Sequence, residues 1–158
     1  MTVDAPVTLL CVDDEPNILA ALRRTLRDER RRVLTADGGE QALQVLASTP
    51  VDVVVSDMRM PGMDGARLLE QVHARWPGVE RILLTGHSDM RSTVAAINQG
   101  QIFRYIHKPW EEHDLCGAID EALERRALRL ERDRLQRLTA EQNDALRTLN
   151  AELEARVA

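Results

Sequence analysis

The 158 residues predict an α/β fold, a parallel five-stranded sheet with helices on both faces. Apolar runs of strand length recur five times, and each is followed by a segment with helical character. Alternation of this kind needs right-handed crossovers, and those make the sheet parallel. The runs also end on polar or turn-forming residues. The clearest case is residues 51–65, where Val51–Val55 leads to Asp57 and then to Pro61, Gly62 and Gly65. An acid at that place stands where a buried strand meets a loop, the edge at which open parallel sheets bind ligands.

The elements follow in order. Val7–Val12 reads as a strand ending in Asp13, Asp14 and Glu15, and Pro16 fits the first turn of a helix. Ile18, Leu19, Leu22, Thr25 and Leu26 recur at helical spacing, and Arg30–Arg32 closes that helix before a second strand, Val33–Ala36. A turn at Asp37-Gly38-Gly39 precedes a helix marked by Ala42, Leu43, Val45 and Leu46 and ended near Pro50. After the central strand, Leu68, Leu69 and Val72 mark a third helix, stopped by Pro77-Gly78. Arg81–Thr85 is the fourth strand. Asp89 caps a fourth helix through Val94, Ala95 and Ile97, and Gly100 ends it. Ile102–His107 is the fifth strand, and a fifth helix starts near Glu111–Asp114.

That helix does not stop where a compact domain needs it to. Between Asp114 and Val157 there is no proline, and the only glycine is Gly117. Leu128, Leu135, Gln142 and Leu149 are spaced by sevens, with Leu138 and Ala145 at companion positions. Glu131 and Glu152 interrupt this seam, and Leu146, Leu153 and Val157 point to a shift of register. The reading is a domain over residues 1–124 and an extended helix over 125–158, a dimeric coiled coil or a linker to a further output domain. The alternative is one solvated helix, which with few partners is only marginally stable.

Composition narrows the function. No apolar run nears ~20 residues and no signal segment is evident, so a cytoplasmic protein without a membrane span is expected. Cys11 and Cys116 fall in a predicted strand and a predicted helix and read as thiols, not a disulfide. The net charge of −5 is concentrated in residues 1–124, which argues against nucleic-acid binding. The arginines of 125–137 alternate with Glu131 and Asp133, the pattern of a charged helix surface. His73, His107 and His113 are scattered and carry no metal-ligand spacing.

The strand ends bring the chemistry together. Asp13 and Asp14 follow strand one, Asp57 ends strand three, Thr85 ends strand four and Lys108 follows strand five. All five lie along one edge. Carboxylates a few ångströms apart repel by roughly 4 kcal/mol per pair at an effective dielectric near 20. A proton or a cation must offset this, and hard oxygen donors suit Mg²⁺. Lys108 is the only lysine among 21 basic residues. A compact ammonium can pair first with a carboxylate and then with a phosphoryl oxygen. Thr85 adds a hydroxyl donor. A Lys108–Pro109 bond that aims the ammonium inward suits the cis form.

Asp13-Asp14, Asp57, Thr85 and Lys108-Pro109, in this order, resemble the receiver domain of bacterial two-component response regulators, over about residues 7–124. The resemblance implies a flavodoxin-like (βα)5 fold with strand order 2-1-3-4-5. It implies that Asp57 is the phosphoacceptor, and that Mg²⁺ (or Mn²⁺) is held by Asp14 directly, Asp13 through water, Asp57 and the Arg59 carbonyl. Thr85 and Lys108 would contact the phosphoryl group, and Tyr105 would be the aromatic switch residue that turns inward with Thr85. Arg59 and His87, each two residues past a site residue, would tune phosphoryl lifetime. The partners implied are a sensor histidine kinase or phosphotransfer protein and an output domain or target. The site would catalyse its own phosphorylation and hydrolysis without turning over an independent substrate. The segment Phe103–Trp110 before a long helix is similar to receivers that precede HD-type phosphodiesterase domains or ATPase-type transcription activators. A coiled-coil scaffold with an unused acidic edge is the alternative from another class. An aspartyl phosphatase of the haloacid-dehalogenase kind needs a second acid where this chain has Arg59.

Overall fold

The computed structural model describes residues 6–86 and 104–157. The elements run β1 (Val7–Val12), α1 (Pro16–Leu26), β2 (Arg31–Ala36), α2 (Gly39–Ser48), β3 (Val53–Asp57), α3 (Gly65–Arg75), β4 (Glu80–Thr85), β5 (Arg104–His107) and α4 (Glu112–Val157). The helix predicted from Asp89 to Gly100, the residue His87 and the predicted start of strand five at Ile102 lie outside the described residues. The helix predicted as the fifth is therefore α4 here.

All five strands pair in parallel in the order β2-β1-β3-β4-β5, the flavodoxin-like order that the resemblance implies. β3 is central and all five of its residues are buried. Side chains alternate across a strand, so each strand feeds two cores. Leu10, Val12, Val54 and Leu83 pack with Ala42 and Leu46 of α2 and Leu68, Leu69 and Val72 of α3. Leu9, Cys11, Val53, Val55, Ile82 and Leu84 pack on the other face with Leu22 and Leu26 of α1 and with Leu115, Ala118, Ile119 and Ala122 of α4. Helices therefore cover both faces, as the alternation predicts.

One local expectation needs correction. α1 ends at Leu26, and Arg31 and Arg32 belong to β2, not to the end of the helix. β2 is an edge strand, where long polar side chains are tolerated. Arg31 there places its guanidinium 2.7 Å from Asp120 of α4. Trp110 packs against the α1/α4 core, and its indole N–H donates to the Thr25 hydroxyl at 3.4 Å.

The residues group into two compact units, Met1–Leu123 and Glu124–Ala158. The second is helical throughout its described length, and its leucines are exposed. Among the described residues, no helix is long and apolar enough to cross a membrane.

Candidate functional site

The site is assembled by strand register. β1 and β3 are neighbours, with Val12 opposite Ser56, so the residues that follow, Asp13 and Asp57, come side by side. Asp13 is fully buried. Its Oδ1 accepts from the Glu15 backbone N–H at 2.9 Å, and its own N–H donates to the Ala36 carbonyl at 3.2 Å. Asp14 is exposed beside it. One carboxylate oxygen from each of Asp13, Asp14 and Asp57 lies within 4.8 Å of the others.

The loop after β3 is folded back on itself. Met58 donates its N–H to the Leu84 carbonyl at 2.9 Å, and the Gly65 N–H donates to the Met58 carbonyl at 2.8 Å. Asp64 then caps α3 by accepting from the Arg67 N–H at 2.8 Å. Gly65 is a requirement of this return. A Cβ there would lie 2.1 Å from the Asp57 carbonyl oxygen. In the sequence Gly65 reads only as a strand breaker. The Asp-Gly pair at the head of a helix was the available signal, but the close approach itself is tertiary.

Lys108 is held by the end of β4, since its N–H donates to the Thr85 carbonyl at 2.9 Å. The Lys108–Pro109 peptide bond is cis. The ammonium lies 2.8 Å from Asp57 Oδ1 and 3.1 Å from Asp13 Oδ2, bridging the two acids. Burial alone would pull the Lys108 pKa down, but the hydrogen bond and charge of Asp57, then those of Asp13, raise it overall. Burial pushes the Asp13 carboxyl up, and the nearby Asp57 charge adds to this; the Glu15 N–H and Lys108 pull the other way. The Thr85 side chain is buried and its hydroxyl donates to the Gly86 carbonyl at 3.1 Å.

The other predicted residues are less central. Arg59 is exposed on the loop after β3. Tyr105 lies opposite Leu83 in β5, packs against the α2/α3 core and meets His107 edge-on at 5.4 Å. A cavity of about 670 Å³ opens beside Asp14, lined also by Gly39, Pro61, Met63 and Arg67.

Three converging hard-oxygen donors, two of them buried, fit a small divalent cation of the Mg²⁺ type. The ammonium between two acids supplies one positive charge to three carboxylates, so the edge retains room for further cationic charge. Such an edge can stabilise an anionic group arriving at Asp57.

Residues 9–120 match the family model described as the response regulator receiver domain. The hydrogenase transcriptional regulatory protein HoxA of Cupriavidus necator is 40% identical over 132 residues, 84% of this chain and 27% of that protein. The transcriptional regulatory protein GlrR of Escherichia coli is 42% identical over 122 residues, 77% of this chain and 27% of that protein. Among solved structures, the signal receiver domain of an HD domain-containing protein from Pseudomonas fluorescens superposes with a TM-score of 0.74 at 40% identity, covering 77% of this chain and 98% of that one. The chain thus spans about a quarter of the length of these two regulators.

Proposed function

The chain belongs to the response regulator receiver domain family, and on that footing we propose that Asp57 accepts a phosphoryl group from a histidine kinase or phosphotransfer protein. The observation that carries this is the Lys108 ammonium set between Asp57 and Asp13, beside a third carboxylate. Asp57 attacks the phosphorus in line. The P–N bond of the donor's phosphoimidazole breaks as the P–O bond to Asp57 forms, and the departing nitrogen takes up a proton. Lys108 follows the negative charge from the carboxylate onto a phosphoryl oxygen. The Thr85 hydroxyl gives up the Gly86 carbonyl and donates to a second oxygen. A divalent ion held by Asp13, Asp14, Asp57 and the Arg59 carbonyl supplies, when bound, neutralisation of the phosphoryl charge.

The product carries close to two added negative charges at the edge of the sheet. Movement of Thr85 leaves room that Tyr105 fills, and the face formed with β5 is biased between two states. The α4 extension carries the output by pairing with a second copy of the chain. The relatives' remaining length supports an output segment beyond these residues. Incubation with acetyl phosphate and Mg²⁺, followed by intact mass measurement, tests the acceptor. A gain of one phosphoryl group that Asp57→Asn abolishes is expected, and a gain that survives Asp57→Asn overturns the assignment.

A further inference from the structure

Leu128, Leu135, Leu138, Leu146, Leu149 and Leu153 of α4 are between 41% and 65% exposed. At about 100° per residue they fall, with Gln142, within an arc of about 80° and along a stripe about 37 Å long. A strict heptad would continue through Ala145 and Glu152, but the exposed leucines are at 146 and 153. The stripe is therefore close to straight and does not impose a strong supercoil.

The stripe is a palindrome in spacing. Leu135, Leu138, Gln142, Leu146 and Leu149 are separated by 3, 4, 4 and 3 residues. Reversing the helix about Gln142 lays Leu135 on Leu149, Leu138 on Leu146 and Gln142 on itself. Charge has the opposite symmetry. Residues 125–137 hold six arginines against two acids, and residues 138–158 hold four acids against two arginines.

We infer that a second copy of this chain covers the stripe in antiparallel orientation, with the two-fold axis at Gln142. This rests on the pairing of α4 proposed above and adds its direction. Matching flanks face each other in an antiparallel pair, and the matches are complementary. Arg134 meets Glu152 of the second copy on one flank. Arg132 meets Glu154 on the other. Each occurs twice by symmetry. In the single chain Arg134 is spent on Glu131 at 3.3 Å and Arg132 on Asp133 at 3.2 Å, all four exposed, so little is lost in the exchange. A parallel pair sets the basic half on the basic half and the acidic half on the acidic half, and leaves Arg134 facing Thr139. Gln142 donates and accepts an amide hydrogen bond with its mate, which pins the register. The leucines that match across the axis, Leu135, Leu138, Leu146 and Leu149 of each copy, bring roughly 700 Å² of apolar surface, the scale of a weak, reversible interface.

Cysteine cross-linking of the full chain in a Cys116→Ser background reads the orientation, since Cys11 is fully buried. Leu135→Cys and Leu149→Cys chains, mixed under mild oxidation, are expected to form a mixed disulfide dimer, and neither is expected to do so alone. Leu135→Cys cross-linking to itself overturns the antiparallel arrangement while leaving pairing intact. Monomeric sedimentation of the unsubstituted chain at all concentrations, with Gln142→Cys also failing to cross-link, overturns pairing and the orientation with it. Reversal of one charge supplies a second reading. Glu152→Arg is expected to weaken association about tenfold and Arg134→Glu to restore it in the double variant. Absence of that rescue contradicts the flank pairing.

Discussion

The carboxyl edge of the sheet and the C-terminal helix show two ways in which charge is placed. At the edge, Asp13 and Asp57 are buried by strand register, and the half-buried Lys108 pairs with both. On the second unit, Glu131, Arg132, Asp133 and Arg134 are exposed and pair locally at one- to three-residue spacing. Buried charges answer strongly to a new charge beside them, because little water screens them. Exposed pairs are worth little singly and act only in sum, across an interface. Under the function and pairing proposed above, the edge would sense one phosphoryl group and the helix would read a partner along its length.

Substitutions should separate the two regions by size of effect. Lys108→Ala, measured as the rate of phosphoryl uptake from acetyl phosphate, is expected to fall on the order of 100-fold, the scale of losing one preorganised donor. Leu138→Ala should leave that rate unchanged. Next come the core contacts. Ile119→Ala, fully buried in the first turns of α4, should lower stability in urea unfolding by about 3 kcal/mol. Leu149→Ala should leave that transition in place and weaken self-association instead. Gly65→Ala should cost about 3 kcal/mol, because its Cβ would collide with the backbone of Asp57. Gly117→Ala, with nothing within 4 Å of its Cβ and a helical backbone, should add about 0.5–1 kcal/mol.

Near neutral pH the smallest effect concerns Cys11. Burial pushes its thiol up to about 12 from an ordinary 9.0, opposed only by the Arg23 charge. A raised folded value means that the neutral thiol contributes stability below pH 9, and that this is lost as pH rises from 9 toward 12. Alkylation at pH 8 should modify Cys116 and leave Cys11 intact in the folded chain.

The sheet was readable because buried parallel strands are continuous apolar runs, and because a strand's end fixes where its last polar residue lies. That is why Asp13, Asp57, Thr85 and Lys108 converge as expected on one edge. What stayed hidden depends on distant partners. The start of β2 at Arg31 follows from an edge position and from Asp120 across the fold, neither of which a local charge run reveals. Gly65 matters through the return of the loop onto Asp57. Lys108 was expected to meet a carboxylate, and its bridging of two acids is set by the register of β1 against β3. The stripe on α4 is legible in the sequence as a broken heptad, whereas the exposure of its leucines to solvent comes from the structure.

The proposed acceptor is one carboxylate, Asp57. Borohydride reduces an acyl phosphate to an alcohol and so marks the residue that carried it. After phosphorylation of the full chain and reductive trapping, peptide mass mapping should find homoserine at position 57 and nowhere else. Homoserine at position 13 or 14, or no reduced residue in a chain that has gained a phosphoryl group, would rule out Asp57 as the acceptor.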